Sequence, residues 1–309
     1  MPHFTHKPVM LAEVLDALRP RPRGRYADGT VGGGGHASAI LQASSPDGWL
    51  YGCDRDGDAV EAARRRLAEF AGRFEIRQGS FRELADWVPE ASCDGVLLDL
   101  GVSSPQLDRP ERGFSFQQSG PLDMRMNLEQ ELTAGRLVNE ADEAELARIF
   151  WEYGGETESR RFARAIANER ANRRFETTGQ LASLIERIHP RRGRKTHPAT
   201  QVFQALRIAV NDEIGHLKSG LESVWKILKP GGRLAVITFH SLEDRVVKEF
   251  GRVRERDYTF EGEVDVPELR RPAKPQLQWV SRKAMKPGPS ELTENPRARS
   301  AQLRVMEKI

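Results

Sequence analysis

The chain has 309 residues, a hydrophobic fraction of 38% and a charged fraction of 30%, which suits a folded protein of one large domain or two ordinary ones. No apolar run approaches the ~20 residues that span a bilayer, and the opening Met-Pro-His-Phe-Thr-His-Lys lacks the charged start and apolar stretch of a signal peptide. Cys53 and Cys93 are the only cysteines, which excludes a disulfide scaffold and a cysteine-ligated zinc site. We therefore expect a cytoplasmic protein.

The amino-terminal third alternates between strand and helix patterns. Short apolar runs bounded by polar residues or glycine indicate strands, and longer segments with apolar residues at helical spacing indicate helices. The predicted elements are a helix over Val9–Leu18, a strand over Arg25–Ala27, a helix over His36–Ala43, a strand over Trp49–Cys53, a helix over Ala59–Phe70, and strands over Phe74–Arg77 and Gly95–Leu98. This alternation predicts βαβ units and a doubly wound parallel sheet.

From Asp108 to about Asn211 the sequence has helical periods and no convincing strand. The predicted helices there are Glu143–Trp151, Ser159–Arg170 and Thr178–Ile188. The alternating pattern then resumes with a helix over Ile214–Leu228, a turn at Lys229–Gly232, a strand over Leu234–Phe239 and a closing strand over Gln302–Met306. The sequence therefore predicts an α/β domain in two parts, residues 1–126 and 196–309, interrupted by a helical insertion over residues 127–195.

A glycine-rich segment, Asp28-Gly-Thr-Val-Gly-Gly-Gly-Gly-His36, lies between the first predicted strand and the next helix. Its glycines allow a ligand to approach the main chain, and Asp54 ends the next strand, where a carboxylate can accept hydrogen bonds from ribose hydroxyls. Gly32, Gly34 and Ala37 also fit a dinucleotide fingerprint, so the segment by itself is compatible with NAD(P).

Two further features favour S-adenosylmethionine over a dinucleotide. Asp28 directly precedes the glycines, and a carboxylate there suits a cationic or amino-acid ligand better than a diphosphate. The turn Leu228-Lys-Pro-Gly-Gly-Arg-Leu234 resembles the corresponding turn of S-adenosylmethionine-dependent methyltransferases. Because S-adenosylmethionine carries an amino-acid moiety, a sulfonium and a ribose but no phosphate, we expect it as the cofactor.

Longer motifs make the resemblance specific. They are Asp99-Leu-Gly-Val-Ser-Ser-Pro-Gln-Leu-Asp108, Arg112-Gly-Phe-Ser-Phe116, Gly120-Pro-Leu-Asp-Met-Arg-Met126, His197-Pro-Ala-Thr200 with Phe203-Gln-Ala-Leu-Arg207, Phe239-His-Ser-Leu-Glu-Asp-Arg245 and Glu294-Asn-Pro-Arg-Ala-Arg-Ser300. They resemble the bacterial small-subunit rRNA cytosine-N4 methyltransferase family, also known as MraW, from His6 to the carboxyl end. The resemblance implies an α/β fold, a Rossmann-like S-adenosylmethionine methyltransferase sheet with an inserted helical domain for substrate recognition. It also implies methylation of the exocyclic N4 amine of one cytidine in the decoding centre of 16S rRNA.

The resemblance further implies a set of cofactor contacts. They fall on Gly34, Gly35, His36, Asp54, Phe81, Asp99 and Gln106. Gly34 and Gly35 would admit the cofactor to the backbone, Asp54 would accept from both ribose hydroxyls, and Phe81 would pack against the adenine. Phe81 as a core side chain and His36 as a helix-start residue are the structural alternatives.

Methyl transfer to cytosine N4 needs groups that hold the amine so that its lone pair faces the methyl. Asp99 ends the fourth predicted strand, and we expect it to contact the cofactor and orient the acceptor amine, with Ser103, Ser104 and His240 nearby as further catalytic residues. Amine-directed nucleic-acid methyltransferases commonly present Pro-Pro-aromatic at this place, whereas no aromatic follows Pro105 here. The candidates for a base-stacking side chain are therefore Phe114, Phe116, Phe239 and His240.

The segment His240-Ser-Leu-Glu-Asp-Arg245 follows the strand after the Lys-Pro-Gly-Gly turn, so we expect it to line the target-base pocket. A structural alternative is a helix cap in which Ser241 pairs with Asp244. Carbon-directed cytosine methylation is disfavoured because neither cysteine has the setting of a nucleophile. No metal is expected, because the histidines do not form a compact ligand set; those considered are His3, His6, His189 and His197.

The net charge of +3 is unevenly distributed. Residues 270–309 contain ten Lys or Arg and three Glu, a local balance of +7. A second basic tract consists of Arg187, Arg191, Arg192, Arg194 and Lys195. These blocks, the first of which includes Arg297 and Arg299, predict a phosphate-rich partner. The resemblance specifies this partner as 16S rRNA within the small ribosomal subunit or its precursor, with no membrane involved. The alternatives are an NAD(P)-dependent oxidoreductase and a non-catalytic rRNA-binding assembly factor.

Overall fold

The computed structural model describes residues 8–191, 197–261 and 264–309. The chain divides into two compact units, which we call the sheet unit (Met1–Gly101 with Ile214–Ile309) and the helical unit (Val102–Glu213). None of the helices in the described ranges combines the length and the apolar character that a membrane span requires.

The described α-helices and β-strands are numbered separately in chain order. The helices are α1 (Leu11–Leu18), α2 (Gly35–Ala43), α3 (Gly57–Arg66), α4 (Ser104–Asp108), α5 (Ala134–Glu140), α6 (Glu143–Glu152), α7 (Ser159–Arg170), α8 (Thr178–Ile188), α9 (Ala199–Asn211), α10 (Glu213–Ile227), α11 (Ser241–Glu255) and α12 (Pro289–Glu294). The strands are β1 (Arg25–Asp28), β2 (Trp49–Asp54), β3 (Phe74–Gln78), β4 (Cys93–Asp99), β5 (Leu228–Thr238), β6 (Tyr258–Phe260), β7 (Arg270–Pro272), β8 (Leu277–Trp279) and β9 (Gln302–Lys308).

The sheet unit contains a seven-stranded sheet in the order β3-β2-β1-β4-β5-β9-β8. Strands β1 to β5 are mutually parallel, and β9 runs antiparallel to its neighbours β5 and β8. The strand order reverses between β1 and β4, which in open α/β sheets marks the crevice where ligands bind at the carboxyl ends of the strands. The prediction of a Rossmann-like α/β fold is confirmed.

Helices cover both faces of this sheet. One core joins the sheet to α1, α2 and α3, and the other joins it to α10 and α11. In β4, Leu97 belongs to the first core while Val96 and Leu98 belong to the second, because successive strand residues point to opposite faces. Burial on both faces explains why the predicted fourth strand reads as a continuous apolar run.

The predicted turn at Lys229–Gly232 is instead an irregularity inside one strand. Cys93 pairs with Leu228 and Gly95 pairs with Arg233, so the intervening residues form a bulge in β5 against β4. Gly231 has a φ of 75° there, a conformation that favours glycine. The bulge explains why the residues typical of a turn, Lys229–Gly232, lie inside strand β5.

The helical unit extends beyond the predicted insertion at both ends. It begins at Val102 rather than residue 127 and ends at Glu213 rather than residue 195. Its core includes Leu122 and Met124 from before the predicted start and Phe203 from α9 after the predicted end. These apolar side chains pack in the same core as those of α6 and α7. A helical period in the sequence shows that a helix has an apolar face, but it does not show which core that face joins.

Three short strands were not predicted. β6, β7 and β8 have three residues each, too few for an alternating pattern to be recognised. The predicted closing strand is present as β9, and β8 pairs with it through Leu277, Gln278 and Trp279.

Candidate functional site

Three carboxylates end neighbouring parallel strands at the reversal point of the sheet. Asp28 ends β1, Asp54 ends β2 and Asp99 ends β4. Because the strands are parallel, all three acids lie at the same edge of the sheet. In the strand register, Asp28 pairs with Gly52 of β2 on one side and with Leu97 of β4 on the other. This carboxyl edge is the place where an α/β sheet binds its ligand.

Thr30 connects two of these acids. Its backbone N–H donates to Asp28 Oδ1 at 3.1 Å, and its hydroxyl accepts from the backbone N–H of Asp99 at 2.6 Å. Sequence reasoning missed this residue, because a threonine inside a glycine-rich turn carries no recognisable signal. Thr30 therefore ties the turn after β1 to the end of β4.

Asp54 is held by the main chain on both sides. Its Oδ2 accepts from the N–H of Gly32 at 2.8 Å, and its Oδ1 accepts from the N–H of Asp56 at 2.9 Å. Burial raises the pKa of Asp54 to about 6, although these two hydrogen bonds oppose the rise. Each carboxylate oxygen keeps a further lone pair, so the predicted contact with ribose hydroxyls remains a prediction that this geometry allows.

Four buried polar atoms at the carboxyl edge have no hydrogen-bond partner within the described ranges. They are Asp28 Oδ2, His36 Nδ1, His36 Nε2 and Asp99 Oδ1. His36 Nε2 lies 3.6 Å from Asp99 Oδ2, too far for a good hydrogen bond. Leaving such atoms unpaired costs about 1–3 kcal/mol each, and their concentration here fits a ligand that carries both donors and acceptors.

Asp28 is the most deeply buried of the three acids. Its exposed fraction is 1%, and burial raises its pKa to about 6. The nearby His36 and the Thr30 N–H lower this pKa, whereas the charges of Asp99 and Asp54 raise it. A buried carboxylate with one unpartnered oxygen is a natural acceptor for a cationic group.

The predicted backbone-contacting glycines also have structural reasons. Gly34 has a φ of 78°, and a Cβ there would lie 3.1 Å from Ala63 Cα. A Cβ on Gly35 would lie 2.5 Å from Pro8 Cγ. By contrast, a Cβ on Gly32 would meet only Thr30 O at 3.9 Å, so the open side of the loop lies at Gly32. Ligand contact by Gly34 and Gly35 stays a prediction.

Phe81 packs as a core side chain. It is 8% exposed, and a Cβ on Gly29 or Gly220 would lie 2.7 or 2.1 Å from its atoms. The ring therefore occupies space that two glycines, one after β1 and one in α10, leave open. An additional contact with adenine remains a prediction.

His240 precedes α11 and caps it. Its Nδ1 accepts from the N–H of Glu243 at 3.5 Å, and its Nε2 lies 3.1 Å from Glu243 Oε1. The Glu243 carboxylate in turn accepts from the N–H of Phe239 at 2.8 Å. The alternative cap of Ser241 with Asp244 is wrong by one residue, because Asp244 forms a buried ion pair with Arg304 instead.

The comparisons with known proteins identify the family. The profile of the MraW methylase family matches residues 3–309. A relative from Geobacter sulfurreducens named "Ribosomal RNA small subunit methyltransferase H" is 51% identical over 311 residues, covering 99% of this chain and 99% of that protein. The chain belongs to the MraW methylase family. A relative of the same name from Heliobacterium modesticaldum is 47% identical over 312 residues, with 99% of each chain covered.

Likeness to solved structures is weaker. TrmN from Thermus thermophilus has a TM-score of 0.44 and 13% identity, with 97% of this chain and 48% of that chain covered. A geranyl diphosphate methyltransferase in complex with SAM has a TM-score of 0.39 and 9% identity, with 97% of this chain and 84% of that chain covered.

The remaining predicted site residues of this MraW-family chain lie in the helical unit. Ser103 and Gln106 form a capping box at the start of α4, in which the Ser103 N–H donates to Gln106 Oε1 at 3.0 Å. Ser104 and Gln106 are both buried. The structure thus explains these residues as a helix start, and their predicted roles toward cofactor and acceptor stay predictions.

The stacking candidates differ in exposure. Phe114 is 8% exposed and belongs to the core of the helical unit. Phe116 is partly exposed, and its ring centroid lies 4.7 Å from those of both His197 and Phe203. His197 Nδ1 accepts from the N–H of Ala199 at 3.1 Å, which fixes the imidazole ring. Among the phenylalanines of the helical unit's motifs, Phe116 is therefore the better stacking candidate.

The basic carboxyl-terminal segment of the MraW-family chain is partly structural. Arg304 forms the buried pair with Asp244, and Lys308 Nζ donates to Trp225 O and Leu228 O at 2.7 and 2.6 Å. Arg297 and Arg299 flank the buried Ala298 on a short 3-10 turn before β9. Of the second basic tract, Arg187 and Arg191 are described, whereas Arg192, Arg194 and Lys195 lie outside the described residues.

Proposed function

We propose that this chain transfers the methyl group of S-adenosylmethionine to the exocyclic N4 amine of a cytidine in the decoding centre of 16S rRNA. The substrate would be the small ribosomal subunit or its precursor, and the place of action the cytoplasm, where subunits assemble. The proposal depends on the group of buried polar atoms at the carboxyl edge that lack a partner in the described part of the chain. The chain is also 51% identical to a protein named for small-subunit rRNA methylation.

The carboxyl edge suits S-adenosylmethionine in its donor and acceptor groups. Asp28 Oδ2 would accept from the ammonium of the amino-acid moiety, and His36 would bond to its carboxylate. Asp54, with its oxygens already fixed by Gly32 and Asp56, would accept from the ribose hydroxyls. When bound, S-adenosylmethionine supplies a methyl group on a positively charged sulfur.

Asp99 has the properties that an acceptor-orienting residue requires. Its backbone is fixed by Thr30, its Oδ2 faces His36 and its Oδ1 has no partner within the described ranges. The free oxygen would accept an N4 hydrogen of the cytosine and turn the lone pair of the nitrogen toward the methyl. This interaction strengthens as positive charge develops on nitrogen, so it favours the transition state over the ground state.

The target cytidine must leave its stack, because its amine cannot reach a buried methyl from within a helix. Phe116, partly exposed beside His197, is the side chain we propose to stack the extruded base. Ser103, Ser104 and His240 would contact the acceptor or its sugar.

The first experiment supplies methyl-labelled S-adenosylmethionine and small ribosomal subunits that lack the modification. The rRNA is then digested to nucleosides and analysed by mass spectrometry. We expect the label in N4-methylcytidine, and deproteinised 16S rRNA as a second substrate tests whether the assembled subunit is required. Label in 5-methylcytidine or no label would refute the proposal, and tight binding of NAD(P) would favour the oxidoreductase alternative.

A further inference from the structure

The helical unit contains a cleft of about 120 Å³ between the end of α7 and α8, and none of its lining residues has a part in the proposed chemistry. Its lining residues are Glu169, Arg173, Arg174, Phe175, Gln180, Ser183, Leu184 and Arg187. A volume of this size holds several water molecules, and hence a phosphate group. Three guanidinium groups against one carboxylate make the cleft strongly basic.

The segment between α7 and α8 that presents Arg173 and Arg174 is fixed by hydrogen bonds. Asn139 holds the backbone of Phe175 on both sides: its Oδ1 accepts from the Phe175 N–H at 2.9 Å and its Nδ2 donates to the Phe175 carbonyl at 2.8 Å. Gln180 Oε1 accepts from the N–H groups of Glu176 and Thr177 at 2.7 and 3.0 Å. The buried Phe175 ring anchors the same segment. The cleft is therefore organised before any ligand arrives, which lowers the entropy lost on binding.

The arginines of the cleft are not committed to structural ion pairs. Arg187 contacts Glu169 at 2.7 Å and Arg174 contacts Glu140 at 3.5 Å, but these side chains are about half exposed or more. Pairs of this kind contribute about 0–1 kcal/mol and exchange readily. Arg173 makes no ion pair or side-chain hydrogen bond to the described part of the chain.

We propose that this cleft binds a backbone phosphate of the RNA substrate and so anchors the helical unit on it. The proposal rests on the proposed function, since that function supplies the RNA. Paired or adjacent guanidinium groups match the geometry of a phosphodiester, and the cleft recognises the strand by charge rather than by base. Arg173 and Arg174 are the anchor, and Arg187 completes it by exchanging Glu169 for the phosphate.

The test compares two charge reversals in the full-length chain, Arg173→Glu and Arg160→Glu. Both residues are exposed arginines of the helical unit, Arg160 in the first turn of α7 and Arg173 just after its end, and Arg160 likewise has no ion pair within the described ranges. Arg160 lies ten positions before Arg170, the last residue of α7, which corresponds to about 15 Å along the helix axis. This distance exceeds the screening length at physiological salt, so the two sites are screened from each other. The probe is a 16S rRNA transcript, and binding is measured over a range of KCl concentrations.

We expect Arg173→Glu to weaken RNA binding about five- to tenfold and to lower the slope of log affinity against log salt by about 0.7–0.9. Arg160→Glu should leave that slope unchanged, and Arg173→Lys should largely restore it. Unchanged S-adenosylmethionine affinity in each variant, measured by calorimetry, shows that the fold is intact.

Equal effects of Arg173→Glu and Arg160→Glu would overturn the cleft, because they would indicate a diffuse surface field. The cleft proposal would also be overturned if the Arg173→Glu variant bound RNA as tightly as the wild-type chain. If the wild-type chain still methylated rRNA in that case, the proposed function would stand. A wild-type chain that neither binds nor methylates the RNA would overturn both.

Discussion

The carboxyl edge of the sheet unit and the cleft of the helical unit use charge in opposite ways. At the edge, Asp28 is buried, one of its oxygens has no partner among the residues that the structure describes, and burial raises the pKa of both Asp28 and Asp54. In the cleft, Arg173, Arg174 and Arg187 are exposed, and the one lining acid is exposed as well. The edge is therefore built to bind a small ligand through a few desolvated hydrogen bonds, and the cleft to attract a polyanion through solvated charge.

This contrast predicts that ligand binding at the edge depends weakly on salt and RNA binding at the cleft depends strongly on it. It also predicts opposite effects when an acidic side chain is removed from each site. Hydrogen bonds inside the buried edge are screened little by ions, whereas phosphate contacts at the exposed cleft are screened strongly. Removing a carboxylate from the edge should weaken function, and removing the carboxylate from the cleft should strengthen RNA binding.

The largest effect is expected from Asp99→Asn. Asparagine keeps the shape and an acceptor oxygen but removes the charge that would favour the transition state, so the single-turnover methylation rate should fall at least ~100-fold. Rapid-quench assays with labelled S-adenosylmethionine measure this rate. A near-normal rate would remove Asp99 from the mechanism while leaving the methyltransferase assignment intact.

The Asp28→Asn variant tests whether the Asp28 carboxyl group is buried at a cost in folding stability, because its free energy of unfolding can be compared with that of the wild-type chain at several pH values. A carboxyl whose pKa is raised on folding stabilises the fold below its unfolded pKa, and that contribution is lost as the pH rises through the folded value. For Asp28 the window runs from pH 3.8 to about 6. The stability of Asp28→Asn relative to wild type should therefore increase by about 2–3 kcal/mol between pH 4 and pH 8.

Urea unfolding at several pH values measures this difference. Asp86→Asn, at an exposed position, is the matched control and should show no such trend. The same Asp28→Asn substitution should weaken S-adenosylmethionine binding, the usual cost of stabilising a binding site. A pH-independent difference between variant and wild type would show that Asp28 is not held as a desolvated charge.

Asp54→Ala should weaken S-adenosylmethionine binding by more than tenfold. Two charge-assisted hydrogen bonds to ribose at about 1.5–3 kcal/mol each exceed that factor. Calorimetry at low and high salt should give nearly the same loss, because the site is buried. If a folded Asp54→Ala variant binds normally, the carboxylate serves only to hold the N–H groups of Gly32 and Asp56.

The sequence predicts the carboxyl edge far better than the cleft, and the reason is physical. Asp28, Asp54 and Asp99 each end a largely buried strand, and parallel pairing brings such strand ends together without further information. The cleft depends on Asn139 holding the backbone of Phe175, 36 positions away in the chain. No periodicity or motif encodes a pairing of that kind.

Local capping shows the same limit at short range. The sequence predicts a possible cap by Ser241 and Asp244, but Asp244 pairs with Arg304 sixty positions later, and the cap forms one residue earlier, at His240 with Glu243. Likewise, the start of the helical unit depends on which core receives Leu122. Element types follow from local patterns, whereas boundaries and caps follow from partners distant in sequence.

The smallest effect, and the sharpest contrast with the edge, is expected from Glu169→Gln. This change removes the lining carboxylate of the cleft and releases Arg187, whose contact with Glu169 competes with phosphate. RNA affinity should rise about two- to fivefold with a steeper salt dependence, because one more guanidinium is available to neutralise the backbone. The free energy of unfolding should change by less than about 0.5 kcal/mol, since the ion pair is exposed. Filter binding with the 16S rRNA transcript and urea unfolding measure the two quantities. A loss of RNA affinity in Glu169→Gln would mean that Glu169 positions Arg187 for the RNA. Removal of an acid would then weaken binding at the cleft as it does at the edge, and the proposed difference between the two sites would be wrong.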